Sequence, residues 1–246
     1  MAIKVTVISS DEPRRLTKRI TLKRDELMTE AGGHMVRGTY AVRAFETLAD
    51  FSEMLGALRT NEALVYGIPK GPAAGVVVTK SNLERMSEEK REAHIARTND
   101  HFEWSNGPGI FMIDIDPPKD GPALSKESAI AIVRKIAPEL SDVPMLWYPS
   151  SSSYIYTDDG RELRGLRGQR LYVPVSNAQK IPNLADALWD RAWAAGHGAI
   201  MVSKAGQLLK RTFFDKCVYQ PSRLDFAAGA STGQGIIQKR GTPELV

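Results

Sequence analysis

Residues 110–118 have the sequence Ile-Phe-Met-Ile-Asp-Ile-Asp-Pro-Pro, and this stretch decides how the rest of the chain is interpreted. Four consecutive apolar residues predict a β-strand that is buried on both faces. The two prolines predict that the strand ends directly after Asp116, because proline cannot donate a sheet hydrogen bond. Side chains alternate across a strand, so Asp114 and Asp116 are expected on the same face, at its carboxyl end.

This pair of carboxylates indicates a metal site. Two acidic groups at the end of an apolar strand repel each other and resist burial unless a cation neutralises them. Carboxylate oxygens suit Mg²⁺ or Mn²⁺, and polymerases hold two such ions about 3.5–4 Å apart with a pair of this kind. The alternative is a strand end that carries two solvated acidic residues. The apolar strand and its prolines favour the metal site, so Asp114 and Asp116 are predicted to be catalytic metal ligands.

Composition limits the class of protein. The chain has 246 residues, of which 42% are hydrophobic and 25% charged, values that are typical of a globular protein and exclude collagen-like or coiled-coil chains. The single cysteine, Cys217, excludes an internal disulfide and a zinc site built from several cysteines, so no zinc is expected. No apolar run is long enough for a membrane span or a signal peptide. We therefore expect a cytoplasmic protein with no membrane partner.

The net charge is less informative than its distribution. A formal charge of +4 is compatible with a polyanionic partner but does not establish one. Residues 13–24 contain six Lys or Arg residues, which we interpret as a solvated face. A second group of arginines, between Arg161 and Arg211, accompanies the candidate site residues described below.

Strands and helices alternate downstream of the acidic stretch. Apolar patterning predicts strands at residues 145–148, 169–175 and 207–214, with a helix capped by Ser125 and another at residues 183–195. This β-α-β-β-α-β order predicts an α+β fold in which residues 106–230 form an RRM-like (ferredoxin-like) palm sheet with flanking helices.

A small N-terminal α/β module is predicted for residues 1–105. Its predicted elements are strands at 4–9, 63–67 and 75–79, a helix at 47–58, an exposed helix and loop at 80–97, and a strand at 19–22 that could pair with the first. Residues 231–246 have no clean helix or strand pattern, so we expect a tail or a linker to a further C-terminal domain.

The segment between the second and third palm strands is suited to binding phosphate. Hydroxyl and backbone amide groups of residues 150–153 could surround an anion, and the candidates there are Ser151 and Ser153. Arginines can bind phosphate oxygens in bidentate fashion, and interspersed glycines allow close approach. The arginines of this segment that we predict to bind nucleotide are Arg164, Arg167 and Arg170. Without the acidic pair, these arginines would be equally consistent with an exposed surface loop.

A third carboxylate is needed to complete a two-metal site. Residues 208–215 are another apolar, strand-like run that ends in an acid, Asp215, and Lys210 within it is a further nucleotide-binding candidate. Asp225 is the competing ligand. We prefer Asp215 because it ends a predicted strand as Asp114 and Asp116 do, whereas Asp225 could pair with Arg223 for structural reasons.

Together these segments resemble the archaeo-eukaryotic primase superfamily, in particular the primase–polymerase domains of plasmid, phage and integrative-element replication proteins. The resemblance covers about residues 95–230. FMIDIDP is similar to the first motif of that superfamily, the glycine-rich strand at 164–175 to the second, and Phe214-Asp215 to the third. The histidine expected in the second motif falls on Arg170, so the resemblance implies that this arginine is a charge clamp rather than a general acid.

The resemblance implies nucleotidyl transfer in the replication of a mobile element. A primer or an initiating nucleotide would attack the α-phosphate of an NTP or dNTP on a single-stranded DNA template, with metals held by Asp114, Asp116 and Asp215. A helicase domain, in the same longer chain or in trans, is a further expected partner. Two alternatives remain open: a non-catalytic DNA-binding module of a replication initiator, and a metal-dependent phosphodiesterase.

Overall fold

A computed structural model describes residues 2–11, 14–118 and 121–246. Among these residues the helices are α1 (Leu48–Ala57), α2 (Lys80–Glu84), α3 (Glu88–Glu92), α4 (Lys126–Ile136) and α5 (Ile181–Ala194). The strands of the N-terminal part are β1 (Ile3–Ser10), β2 (Arg19–Lys23), β3 (Glu26–Glu30), β4 (Arg37–Phe45), β5 (Glu62–Val65), β6 (Ile68–Pro69), β7 (Ala74–Val78), β8 (His94–Ala96) and β9 (Phe102–Glu103).

The remaining strands are β10 (Gly109–Ile115), β11 (Leu146–Pro149), β12 (Ile155–Thr157), β13 (Glu162–Arg164), β14 (Gln169–Val175), β15 (Ala199–Val202), β16 (Leu208–Arg211), β17 (Leu224–Asp225), β18 (Ser231–Thr232), β19 (Ile236–Gln238) and β20 (Glu244–Leu245). Together with the helices they form a mixed α+β structure with several sheets. This confirms the predicted fold at the level of the α+β class.

Two sheets determine where the candidate site lies. The larger has the strand order β17-β5-β1-β4-β7-β8, and the second has the order β10-β14-β11-β20. The predicted strand at 169–175 coincides with β14, which pairs antiparallel with both β10 and β11. The hydrophobic core between the sheets contains Val5 and Val7 from β1 and Ile110 and Met112 from β10.

Strand β10 is buried on both faces, as its apolar run predicts. Ile110 and Met112 face the larger sheet, whereas Phe111 and Ile113 pack with α4 and α5 on the other side. Because side chains alternate along the strand, Asp114 is on the face of Ile110 and Met112. The acidic end of the strand therefore lies between the two sheets.

Side-chain caps mark where α1 and α4 begin. Thr47 accepts a hydrogen bond from the Asp50 backbone, and the Asp50 side chain accepts one from the Thr47 backbone, which completes a capping box at α1. Ser125 caps α4 through the Ser128 backbone N–H, as its position predicts. The buried positions Ala129 and Val133 then form the apolar face of α4.

Three predicted segments differ from the structure. Strand β2 does not pair with β1, whose edges are occupied by β4 and β5, but with β3 and β18. The strand predicted at 207–214 ends at Arg211 and forms an exposed two-stranded sheet with β15 instead of joining the second sheet. Residues 231–246, expected to be a tail, contribute β18, β19 and β20 to three sheets, because these short segments pair with β2, β12 and β11, which lie far away in the chain.

Within the described ranges, no helix combines the length and the apolar character that a transmembrane span requires.

Candidate active site

Asp114 lies opposite Arg170 in the antiparallel register of β10 and β14. Oδ1 of Asp114 is 3.3 Å from Nε of Arg170, and both side chains are largely buried. The same Nε is 3.0 Å from Oδ1 of Asp225, whose side chain is only 1% exposed. Arg170 is thus held between two carboxylates, one on β10 and one on β17 of the larger sheet.

Asp225 belongs to a buried polar network. Its Oδ2 accepts a hydrogen bond of 2.5 Å from the Tyr66 hydroxyl and one of 3.3 Å from the Tyr172 hydroxyl. Its ion pair is with Arg170 and not with Arg223, the partner considered from the sequence. Asp225 is therefore buried and paired with Arg170 between the sheets. This favours Asp215 over Asp225 as the third carboxylate for a metal ligand.

Burial raises the pKa of Asp114 to about 6, from an ordinary value of 3.8. The positive charge of Arg170 opposes this shift, while the carboxylates of Asp116, Asp225 and Asp215 add to it. The raised pKa thus mainly reflects the removal of this carboxyl from water, with a smaller contribution from the three neighbouring carboxylates. Strongly shifted carboxyl groups of this kind are typical of functional sites.

Asp116 follows the end of β10 and is exposed. A Cβ placed on Gly168 would stand 2.4 Å from Oδ1 of Asp116 and 2.7 Å from Oγ of Ser150. Glycine at 168 therefore allows the acidic strand end and the serine-rich turn to approach each other. Asp116 is next to the turn that was predicted to bind phosphate.

A backbone hydrogen bond, and not a position at the end of a strand, holds Asp215 next to Asp114. Its N–H donates to the Asp114 carbonyl oxygen at 2.9 Å. The prediction that Asp215 ends a strand is wrong, because β16 ends at Arg211 and Phe214 is anchored in the core with α4 and α5. One side-chain oxygen of Asp215 accepts from the Cys217 N–H at 2.9 Å and caps a short 3₁₀ helix.

The serine-rich turn comprises residues 150–153. Ser151 and Ser153 are both buried, and the Ser153 hydroxyl donates to the Gly168 carbonyl at 2.9 Å and accepts from the Arg167 N–H at 2.9 Å. Ser150 N–H donates to the same Gly168 carbonyl at 2.8 Å. These bonds fix the turn against the start of β14, beside Asp116.

Three basic residues lie near this turn, and one of them, Lys18, contacts it through its side chain. Arg167 donates from Nη1 to the Gly121 carbonyl at 3.0 Å, and Arg164 is 3.5 Å from the Thr29 hydroxyl. Lys18 donates from Nζ to the Ser152 hydroxyl at 3.0 Å. Burial lowers the pKa of Lys18, and the carboxylates of Asp116 and Asp114 partly oppose this, so the lysine lies within the electrostatic reach of the acidic pair.

Lys18 was not identified from the sequence, where it belongs to a basic cluster interpreted as a solvated face. Its neighbours in the chain are ordinary, and only the pairing of β2 with β18 brings it to the serine-rich turn. Lys210, in contrast, was predicted from the sequence to bind nucleotide. It is exposed on β16, opposite Ile200, and within the described residues it makes no ion pair with Asp114, Asp116 or Asp215.

The chemistry of Asp114, Asp116 and Asp215 fits a hard divalent cation, because all their donors are carboxylate oxygens. The contacts described above engage one oxygen of Asp114 and one of Asp215. In residues 2–11, 14–118 and 121–246, however, no three His, Cys, Asp or Glu side chains are arranged as ligands of one ion.

Comparison of the chain with known protein families, with curated proteins and with solved structures gave no significant match. The function proposed below therefore rests on the geometry and chemistry of the site.

Proposed function

We propose that the chain is a metal-dependent nucleotidyltransferase of the primase–polymerase type, which joins an NTP or dNTP to a primer or initiating nucleotide on single-stranded DNA. The observation that carries the proposal is the group around the end of β10. There the buried carboxyl of Asp114, with a pKa of about 6, has two further acids, Asp116 and Asp215, beside it and cations around the adjacent turn.

The topology of the second sheet supports an RRM-like palm. Helix α4 connects β10 to β11, α5 follows β14, and β14 lies between β10 and β11. This is the order of the first five elements of a β-α-β-β-α-β unit, in which the first and third strands are neighbours. The backbone of Asp215 bonds to the Asp114 carbonyl near the end of β10, next to the carboxylates.

Asp114, Asp116 and Asp215 would hold Mg²⁺ or Mn²⁺, which when bound activates a hydroxyl nucleophile and neutralises the departing pyrophosphate. In the reaction the 3′ oxygen bonds to the α-phosphorus, the bond to the bridging oxygen breaks, and pyrophosphate leaves. Asp114 must be deprotonated to serve as a ligand, so protons compete with the metal for this carboxylate and activity is expected to fall at acidic pH.

Arg170 and the cations of the turn have separate roles in this proposal. Arg170 orients Asp114 through their ion pair, and because its guanidinium is buried between the sheets it acts as a positioning residue in this proposal. Lys18, Arg164 and Arg167 would bind the triphosphate together with backbone groups of residues 150–153. Lys210 is better suited to contact the template, since it is exposed on a separate hairpin.

A primer-extension assay tests the proposal. The full chain is incubated with Mn²⁺ or Mg²⁺, a primed single-stranded template and labelled dNTPs, in parallel with Asp116→Asn and the matched control Asp158→Asn. Asp116 adjoins the serine-rich turn, whereas Asp158 is an exposed acid in a turn between β12 and β13. We expect Asp116→Asn to lose extension by at least about 100-fold, since even residues behind a metal ligand change activity by about 10–100-fold.

The same assay separates the alternatives. Shortening of the primer without extension, lost in Asp116→Asn, would replace the proposal with a phosphodiesterase. Retarded migration of the template without extension or shortening would replace it with a non-catalytic DNA-binding module. Extension that is equal in Asp116→Asn and in the parent would refute the site assignment.

A further inference from the structure

A pocket lined by none of the candidate site residues lies beside β11. It has a volume of about 490 Å³ and lies between the end of α1, at Gly56, and the chain segments around Gly229 and Arg240. Tyr148 forms part of its wall, and in the register of β11 and β14 this residue is opposite Arg170. The pocket is therefore adjacent to the candidate active site but is lined by different residues.

Arg240 supplies the pocket with a fixed positive charge. Its guanidinium carbon is 4.1 Å from the centre of the Tyr148 ring, and its Nη1 donates to the Pro149 carbonyl oxygen at 3.3 Å. Within the described part of the chain no carboxylate forms an ion pair with it. Burial lowers the pKa of Arg240, which is the expected response of a cation that is taken from water without a paired anion.

The Nε–Nη2 edge of this guanidinium donates no hydrogen bond to a described residue and lies beside Gly229 and Gln238. A Cβ on Gly229 would stand 3.6 Å from Nη2 and 3.8 Å from Nε of Arg240, so a side chain at this position would cover that edge. The Nε–Nη2 edge of arginine binds two oxygens of one phosphate in parallel. Stacking on Tyr148 already holds the plane of the group, so little conformational freedom is lost when an anion binds.

We propose that this pocket is a phosphate-binding subsite, in which the Nε–Nη2 edge of Arg240 binds a phosphate of a nucleotide or of a nucleic-acid strand. Gln238 connects it to the candidate active site, because its side-chain amide donates to the carbonyl oxygens of Ser153, at 2.9 Å, and Ser150, at 3.4 Å. A ligand that spans both sites would pass the serine-rich turn. The role of the subsite in synthesis rests on the proposed function, but its affinity for phosphate does not.

Binding measured without divalent cations tests the subsite separately from catalysis. The probes are ATP, by titration calorimetry, and a fluorescein-labelled oligothymidylate, by anisotropy, both in EDTA. Arg240→Gln is expected to weaken binding of at least one probe about tenfold, because a bidentate charge-assisted contact is lost. Arg85→Gln, which removes the same charge from an exposed position at the end of α2, is expected to change neither affinity by more than about twofold.

A second pair of variants avoids any change to Arg240. Gly56 is exposed and lines the pocket, and a Cβ at this position meets nothing within 4 Å. Gly56→Glu and Gly56→Gln both replace a helical glycine with a good helix former, so both should fold, and they differ only in charge. We expect Gly56→Glu to weaken binding of the same probe relative to Gly56→Gln, because its carboxylate repels phosphate.

The two probes distinguish the sources of the phosphate. Loss of ATP affinity in Arg240→Gln and Gly56→Glu identifies a free nucleotide, and loss of oligothymidylate affinity alone identifies a nucleic-acid strand. Unchanged affinity for both probes in both variants overturns the subsite, even if the parent extends primers. Conversely, Arg240-dependent binding in a chain that does not extend primers retains the subsite and refutes only the proposed function.

Discussion

Replacing Asp225 with asparagine removes the negative charge that lies 3.0 Å from the Arg170 guanidinium, without a change in side-chain size. Arg170 would keep Asp114, 3.3 Å away, as its only carboxylate partner among the described residues. The hydroxyl of Tyr66, which donates to Asp225 at 2.5 Å, would lose a charged acceptor. The variant therefore leaves a buried cation partly uncompensated at the contact between the two sheets.

The expected loss of stability is about 3 kcal/mol. Removing one partner of a buried ion pair costs about 3–5 kcal/mol. The Arg170 and Asp225 side chains are 10% and 1% exposed, so solvent screens this pair little. The remaining contact with Asp114 places the expected loss at the lower end of that range. Such a loss is a large fraction of the roughly 5–15 kcal/mol by which domains of this kind are stable.

Equilibrium unfolding in urea at pH 7.5, followed by tryptophan fluorescence, measures this loss. The control is Asp11→Asn, which makes the same chemical change in a surface pair. There Asp11 is 3.0 Å from Arg37, and the side chains are 46% and 58% exposed. Exposed pairs contribute at most about 1 kcal/mol, so the control should be close to the parent. If Asp225→Asn lost no more free energy of unfolding than Asp11→Asn, the network would not hold the sheets together as argued.

Three further predictions concern the acidic end of β10. The pKa of Asp114 is about 6 in the folded chain against an ordinary 3.8, so its charged form opposes folding. Asp114→Asn should therefore raise the free energy of unfolding in urea by up to about 3 kcal/mol at pH 7.5. The same measurement below pH 4 should show no gain, because Asp114 is then protonated in both the folded and the unfolded chain. Gly168→Ala should lower the unfolding free energy by about 1–3 kcal/mol, because its Cβ would lie 2.7 Å from Oγ and 3.2 Å from Cβ of the buried Ser150. In the control Gly71→Ala the Cβ meets nothing within 4 Å, so the free energy of unfolding should be nearly unchanged. Lys18→Gln should reduce the slope of log affinity against log salt for single-stranded DNA by about 1, and an unchanged slope would contradict a phosphate contact.

Elements with a strong local signal were predicted well from the sequence. The predicted strand at 169–175 coincides with β14, the helix predicted at 47–58 with α1, and the helix that Ser125 was predicted to cap begins at Lys126. In each case the deciding feature lies within a few residues of the chain: a short apolar run, the helical spacing of apolar residues, or a side chain that caps its own helix. The doubly buried character of β10 was predicted for the same reason.

The errors share a different cause. Residues 207–214 have the apolar composition of a palm strand, yet β16 pairs with β15 in an exposed hairpin in which Leu208 is 72% exposed. Strand β2 was assigned the nearest available partner, but both edges of β1 were already occupied. Composition indicates that a segment forms a strand; the partner depends on which edges the rest of the chain leaves free.

By itself, the sequence determined the α+β class, the doubly buried strand β10 and the proximity of Asp114 to Asp116, because these follow from periodicity over a few residues. Only the tertiary structure decided that Asp225 holds Arg170, that Asp215 reaches Asp114 through its backbone, and that Lys18 joins the serine-rich turn. These contacts join segments that are far apart in the chain, and they depend on sheet order and register. No local pattern encodes them, since each partner has an ordinary sequence environment until the sheets assemble.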